Sequence, residues 1–184
     1  MQKLLIIDGH NLLFQMFLGM PSRIINKDGK AIHGVLGFVG ALKKIIKMTN
    51  ATHIIVIFDG EHESDRAELL TDYKANRVDY STVPDEANPF SQLDDIYAAL
   101  DFMKITHIEA TEFEADDAIA SYVHRYGDAM QIVISSFDSD FFQLISDTVS
   151  VLRYRGEKSI VLAKCHICKT NMAFCQNNML ILNR

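Results

Sequence analysis

Seven carboxylates, Asp8, Asp59, Glu114, Asp116, Asp117, Asp138 and Asp140, stand at or shortly after the ends of apolar runs in this chain. One acid in such a place caps a helix or closes a turn. Acids delivered from four separate run ends are a different matter, because an open α/β sheet gathers its ligands in the crevice at the carboxyl ends of the strands. Clustered carboxylates also repel one another unless a cation neutralises them. All seven are hard oxygen donors, and His10 is the one imidazole beside a run end, so Mg²⁺ or Mn²⁺ suits the set better than Zn²⁺. Two such ions, roughly 4 Å apart, activate a water and stabilise the leaving oxygen of a phosphodiester. Phosphoryl hydrolysis is the chemistry these residue types point to.

The elements that must position the acids follow from periodicity. Leu4–Ile7, His53–Phe58, Ile105–Glu109, Gln131–Ser135 and Val149–Tyr154 read as short strands separated by helical patterns. Val35, Phe38, Val39, Leu42, Ile45 and Ile46 mark a crossover helix, with Lys43, Lys44 and Lys47 on the intervening positions. Leu93, Ile96, Tyr97, Leu100 and Met103 mark another, and Asp116 to Tyr126 has the length of a helix ended by Gly127. The pattern predicts an α/β fold with a mostly parallel central sheet covered by helices on both faces. In Glu114-Ala-Asp116-Asp117, helical spacing puts the first and last acids on one face with Asp116 beside them, where the positive helix N-terminus tolerates their charge.

The stretch from Glu61 to Gln92 breaks the rhythm, with eleven charged residues in thirty-two and both Pro84 and Pro89. It reads as an excursion from the body, either a functional clamp or a surface loop. Arg66, Tyr73, Lys74 and Arg77 lie in it; the cations could grip phosphates while Tyr73 stacks on a base, or form a solvated charged face. Gly34, Gly37 and Gly40 permit close approach of a second helix or of a nucleic-acid backbone. No GxxxxGK[ST] segment is present.

The chain has 184 residues, enough for one core. Its 48% apolar content excludes a disordered or low-complexity class. The early run Leu4–Ile7 is too short for a signal peptide or a membrane span. The three cysteines, Cys165, Cys168 and Cys175, leave residues 1–164 with none, so a reducing, cytoplasmic setting is expected. A zinc knuckle around Cys165-His166-Ile167-Cys168 would need a second well-spaced pair. The net charge of −6 argues against a polyanionic partner only if the acids are spread out; removing seven negative charges for one metal pocket leaves +1 on the remainder.

Leu-Ile-Ile-Asp8-Gly9, Phe58-Asp59-Gly60, Tyr73-Lys74-Ala-Asn-Arg77, Glu114-Ala-Asp116-Asp117 and Asp138-Ser-Asp140-Phe-Phe-Gln-Leu144, in that order, resemble the 5′→3′ exonuclease and flap endonuclease family. The likeness is to the N-terminal nuclease of bacterial DNA polymerase I and to its stand-alone bacterial relatives, over about residues 3–160. It implies a PIN-like three-layer fold, with residues 61–92 as a helical arch. By the same resemblance Asp8, Asp59, Glu114, Asp116 and Asp117 hold or support one metal ion, and Asp138 with Asp140 hold a second. Lys74, Arg66, Asp59 and Asp117 then take catalytic roles, with Tyr73, Lys74, Arg77 and Gly34 against nucleic acid. The implied substrate is DNA with a 5′ single-stranded end or flap; separately, no membrane partner is expected, and a monomer is the expected state.

The sequence departs from the family where an Arg after the first motif is replaced by Gln15, and after about residue 160. There the Gly-Asp-x-x-Asp-Asn segment and the helix–three-turn–helix element are not found, and residues 161–184 read as a divergent tail of a truncated or frame-shifted product. Such a chain is expected to cut weakly or to act as a DNA-end-binding module. A phosphatase using Asp8 as nucleophile is a third class, disfavoured because position 10 is His where a second Asp would stand.

Overall fold

The computed structural model describes residues 2–60 and 83–163. Six strands form one sheet in the order β3-β2-β1-β4-β5-β6: β1 (Lys3–Asp8), β2 (His53–Asp59), β3 (Thr106–Ala110), β4 (Gln131–Ser135), β5 (Val149–Arg153) and β6 (Ile160–Leu162). All neighbouring pairs are parallel except β5 with β6. β1 sits between β2 and β4, so the chain winds outward in both directions from it, and the ends of β1 and β4 flank the point where strand order reverses. That is where such sheets open a ligand crevice.

The apolar runs are continuous rather than alternating because both sheet faces are covered. Leu5, Ile7, Val56, Phe58, Val133 and Leu152 face one core, packed by α1 (Gly9–Gly19), α2 (His33–Thr49) and α3 (Leu93–Phe102). Leu4, Ile6, Ile55, Ile57, Ile132, Ile134 and Val151 face the other, packed by Ala115 and Ile119 of α4 (Ala115–Tyr126) and by Phe141. Helices on both sides of a mostly parallel sheet make the expected three layers. Among the described residues no helix is long and apolar enough to cross a membrane.

Two differences from the sequence reading have simple causes. β6 is only three half-buried residues following Glu157, Lys158 and Ser159, too short to show a period, yet it pairs antiparallel with β5. Its turn is closed by Gly156 at φ +61°, a left-handed conformation that glycine adopts without steric cost. The described part of the 61–92 excursion is not loose. Asn88 Oδ1 accepts from the Phe90 N–H, Pro89 and Gln92 are buried, and Gln92 Oε1 accepts from the Val35 N–H at 3.0 Å. A glutamine distant in sequence thus caps α2, whose own N-cap residue Ile32 has no side-chain acceptor. Ion pairs Arg23–Glu86 (3.2 Å) and Lys30–Asp95 (2.8 Å) join the loop between α1 and α2 to the same region.

Candidate active site

Asp8 ends β1 and caps α1. Its Oδ1 accepts from the Asn11 N–H at 3.1 Å, and its Oδ2 accepts from the Ser136 hydroxyl at 2.8 Å. The Ser136 oxygen accepts in turn from the Asp138 N–H (3.0 Å), and Asp138 Oδ1 accepts from the Asp140 N–H (2.8 Å). Asn11 Oδ1 takes the Phe137 N–H at 3.1 Å. The loop after β4 is therefore knitted to the start of α1, which fixes Asp138 relative to Asp8.

Asp59 ends β2, and its Oδ1 accepts from the Ala115 N–H, the first of α4, at 2.8 Å. It thereby caps a helix whose own N-cap residue, Glu114, makes no capping bond with its side chain. The Asp59 N–H donates to His10 Nδ1 at 3.3 Å, and His10 packs edge-on against Phe58 and Phe90. Asp59 thus ties α4, and the acids at its start, to the end of β2.

Asp8, Asp59, Glu114, Asp116 and Asp138 line one open cavity of about 920 Å³, together with the polar His10, Asn11, Gln15 and Arg155 and the apolar Phe14, Leu18, Phe90 and Phe137. Burial raises the Asp8 carboxyl to about 6, with the Asp59 charge adding to it and the Ser136 and Asn11 bonds opposing. Asp116 is raised to about 7, first by loss of hydration and then by the charges of Asp8, Asp138, Asp59 and Glu114. These acids from four parts of the chain therefore feel one another through space. Among the described residues, no three of them stand close enough to hold a metal ion as they are. The donor set itself, five carboxylates with no thiolate, fits a hard divalent cation.

Five of the seven expected acids meet at the cavity; Asp117 and Asp140 do not line it. Glu114 is the N-cap of α4 with extended backbone (φ −72°, ψ 155°), its carbonyl accepting from the Asp117 N–H at 3.1 Å, and Asp117 is turned about 100° around α4 from Asp116, which does line the cavity. Asp140 is exposed at the start of a short 3₁₀ helix. Gly34 is buried, and a Cβ there would meet Gln92 Oε1 and Phe17 at 3.0 Å, a contact that packing explains. Arg66, Tyr73, Lys74, Arg77 and the three cysteines lie outside the described residues. Gln15 lines the cavity and donates to the Tyr154 carbonyl. Sequence reading missed Asn11, Ser136, Phe137 and Arg155. Asn11, three residues after Asp8, and Ser136, directly after β4, were visible as polar residues at run ends but carry no motif of their own.

Comparison with known proteins bears on this arrangement. A family model described as 5′-3′ exonuclease, N-terminal resolvase-like domain, matches residues 3–172. A 5′-3′ exonuclease of Mycobacterium tuberculosis (strain H37Rv) is 32% identical over 154 residues, covering 78% of this chain and 48% of the relative. One from Bacillus subtilis (strain 168) is 34% identical over 152 residues, covering 81% and 50%. A flap endonuclease of bacteriophage T5, solved as a pseudo-enzyme-product complex with DNA and metal ions, superposes with a TM-score of 0.63 at 25% identity, covering 82% of this chain and 54% of that one. The chain thus spans about half the length of these relatives.

Proposed function

The chain belongs to the family of 5′-3′ exonuclease N-terminal, resolvase-like domains, and we propose that it is a divalent-metal-dependent nuclease hydrolysing phosphodiester bonds in DNA with a free 5′ end or flap. The observation that carries this reading is the meeting of Asp8, Asp59, Glu114, Asp116 and Asp138 in one cavity at the carboxyl edge of the parallel sheet. The phage T5 relative, solved with DNA and metal ions, supports both the cation and the substrate class.

In this proposal Asp8, Asp59, Glu114, Asp116 and Asp117 would hold or support one Mg²⁺ or Mn²⁺ ion, and Asp138 with Asp140 would hold a second. When bound, such ions polarise the phosphoryl oxygens and make a water nucleophilic near neutral pH. Water attacks phosphorus, the P–O3′ bond breaks, and the products are a 3′ hydroxyl and a 5′ phosphate. The protein's part is placement. Ser136 and Asn11 fix the Asp8 carboxylate, and Ala115 N–H fixes Asp59, so that hard donors face one space. Lys74 contacts the scissile phosphate with Arg66 in support, while Tyr73 and Arg77 engage the strand. The setting is a cytoplasmic monomer, with residues 1–160 carrying the nuclease.

A 5′-flap oligonucleotide incubated with the chain and Mn²⁺ tests the reading. Cleavage that EDTA and Asp59→Asn each abolish is the expected result. Binding of the flap with no cleavage under any divalent cation would replace the enzyme by a DNA-end-binding module.

A further inference from the structure

The carboxylate cavity poses an electrostatic problem for a polyanionic substrate, since the acids that hold cations also repel phosphates. Among the described residues, one Lys or Arg lines that cavity: Arg155, in the turn between β5 and β6. Its side chain is exposed, and it joins no ion pair with a described residue. Its guanidinium lies over the Phe137 ring, 5.1 Å from the centroid, next to Asp138 in sequence and on the same cavity.

The surroundings fix the backbone that carries this guanidinium and the ring beneath it. The Arg155 N–H donates to the Ser159 hydroxyl at 2.9 Å, and the Lys158 N–H donates to the Arg155 carbonyl at 3.2 Å, closing the turn around Gly156. The adjoining Tyr154 is buried, and its carbonyl accepts from Gln15 of α1. Phe137, the platform under the guanidinium, is fixed by Asn11 Oδ1 and by Arg153 Nη2, which donates to its carbonyl at 2.9 Å. A cation resting on an aromatic face, with no hydrogen bond from its guanidinium to a described residue, keeps its donors available to a ligand in the cavity. A guanidinium fork also matches a phosphate in two parallel hydrogen bonds.

We propose that Arg155 is a substrate-binding residue whose guanidinium takes a backbone phosphate of the nucleic-acid strand entering the carboxylate cavity, on the Asp138 side. The assignment rests on the nuclease reading above and adds to it a phosphate-binding position outside the acids and outside residues 61–92. Arg155 acts on binding, while the acids act on the bond that breaks.

The test measures binding of a fluorescent 5′-flap oligonucleotide to the whole chain in Ca²⁺, a hard cation the carboxylates accept, with the label read before any cleavage, across a series of salt concentrations. Arg155→Ala weakens binding about tenfold and lowers the slope of log K against log salt by about one phosphate contact. Arg155→Lys keeps most of the slope but recovers only part of the affinity, because the stacked fork is gone. Arg125→Ala, an equal charge change in the last turn of α4, the end away from Glu114, leaves both unchanged. Unaltered affinity and slope in Arg155→Ala, or an equal loss in Arg125→Ala, overturns the assignment. If the unaltered chain cuts the flap in Mn²⁺ while Arg155→Ala binds as it does, only the Arg155 assignment falls. If the unaltered chain neither binds nor cuts, the nuclease reading falls and takes Arg155 with it.

Discussion

Asp8 and Asp116 are acids whose surroundings oppose their own charge, one chiefly by burial, the other by burial and four like neighbours. Metal ligation needs both ionised, so their support matters most near their raised values. Removing the hydroxyl that donates to Asp8, in Ser136→Ala, is expected to weaken Mn²⁺ binding about tenfold at pH 6 and clearly less at pH 8, where Asp8 is ionised regardless; a hydrogen bond to a charged group is worth about 1.5–3 kcal/mol. Calorimetric titration at the two pH values checks this, and an equal loss at both would show that Ser136 acts through the loop alone. Asp116 has a consequence of opposite sign for stability. Its folded value, about 7, lies above its ordinary 3.8, so between them the folded chain binds more protons than the unfolded one. The metal-free fold therefore loses stability as pH rises through that window. Asp116→Asn cannot titrate, so without metal it should melt at a higher temperature than the unaltered chain, by a margin that widens from pH 5 to pH 8. A constant or shrinking margin contradicts the assignment of charge crowding to Asp116.

The strands and helices place the acids by contacts that tolerate little change. Gly9, the first residue of α1, lies so near Phe58 that a Cβ would come within 2.4 Å of its fully buried ring. Gly9→Ala should cost about 1–3 kcal/mol in urea unfolding and shift the α1 start that Asp8 caps; a loss below about 0.5 kcal/mol would mean the ring yields. Gln92→Ala leaves the part-buried Val35 N–H of α2 without its acceptor and opens space where the buried Gln92 side chain sat, and should cost about 1–2 kcal/mol by the same assay. Much of this level was legible. Gln131–Ser135 is strand from the first residue to the last as read, and His53–Phe58 extends by one residue to Asp59, because runs buried on both faces leave a strong apolar signal. The strand read as Ile105–Glu109 begins and ends one residue later, at Thr106 and Ala110. β6 and the Gln92 cap were not legible, since both depend on partners distant in sequence that no local period announces. The site divides in the same way. Acids at strand ends could be read off, but the face each presents could not, because which side of α4 turns to the cavity, Asp116 or Asp117, depends on how the helix packs on the sheet.

For the molecule as a whole, the sheet makes one edge negative and then needs cations to admit a polyanion. The net charge of −6 says little about partners when five carboxylates crowd a single cavity. In the proposed function those acids, from the ends of β1 and β2, the start of α4 and the loop after β4, make up one shared cation-binding centre. The most direct measurement is calorimetric titration of the whole chain with Mn²⁺ at pH 8, in the unaltered chain and in Asp59→Asn, Asp116→Asn and Asp138→Asn. Binding in the unaltered chain that each single substitution weakens at least about tenfold is the predicted result. Affinity unchanged in all three variants, or no binding in the unaltered chain, would contradict the shared site.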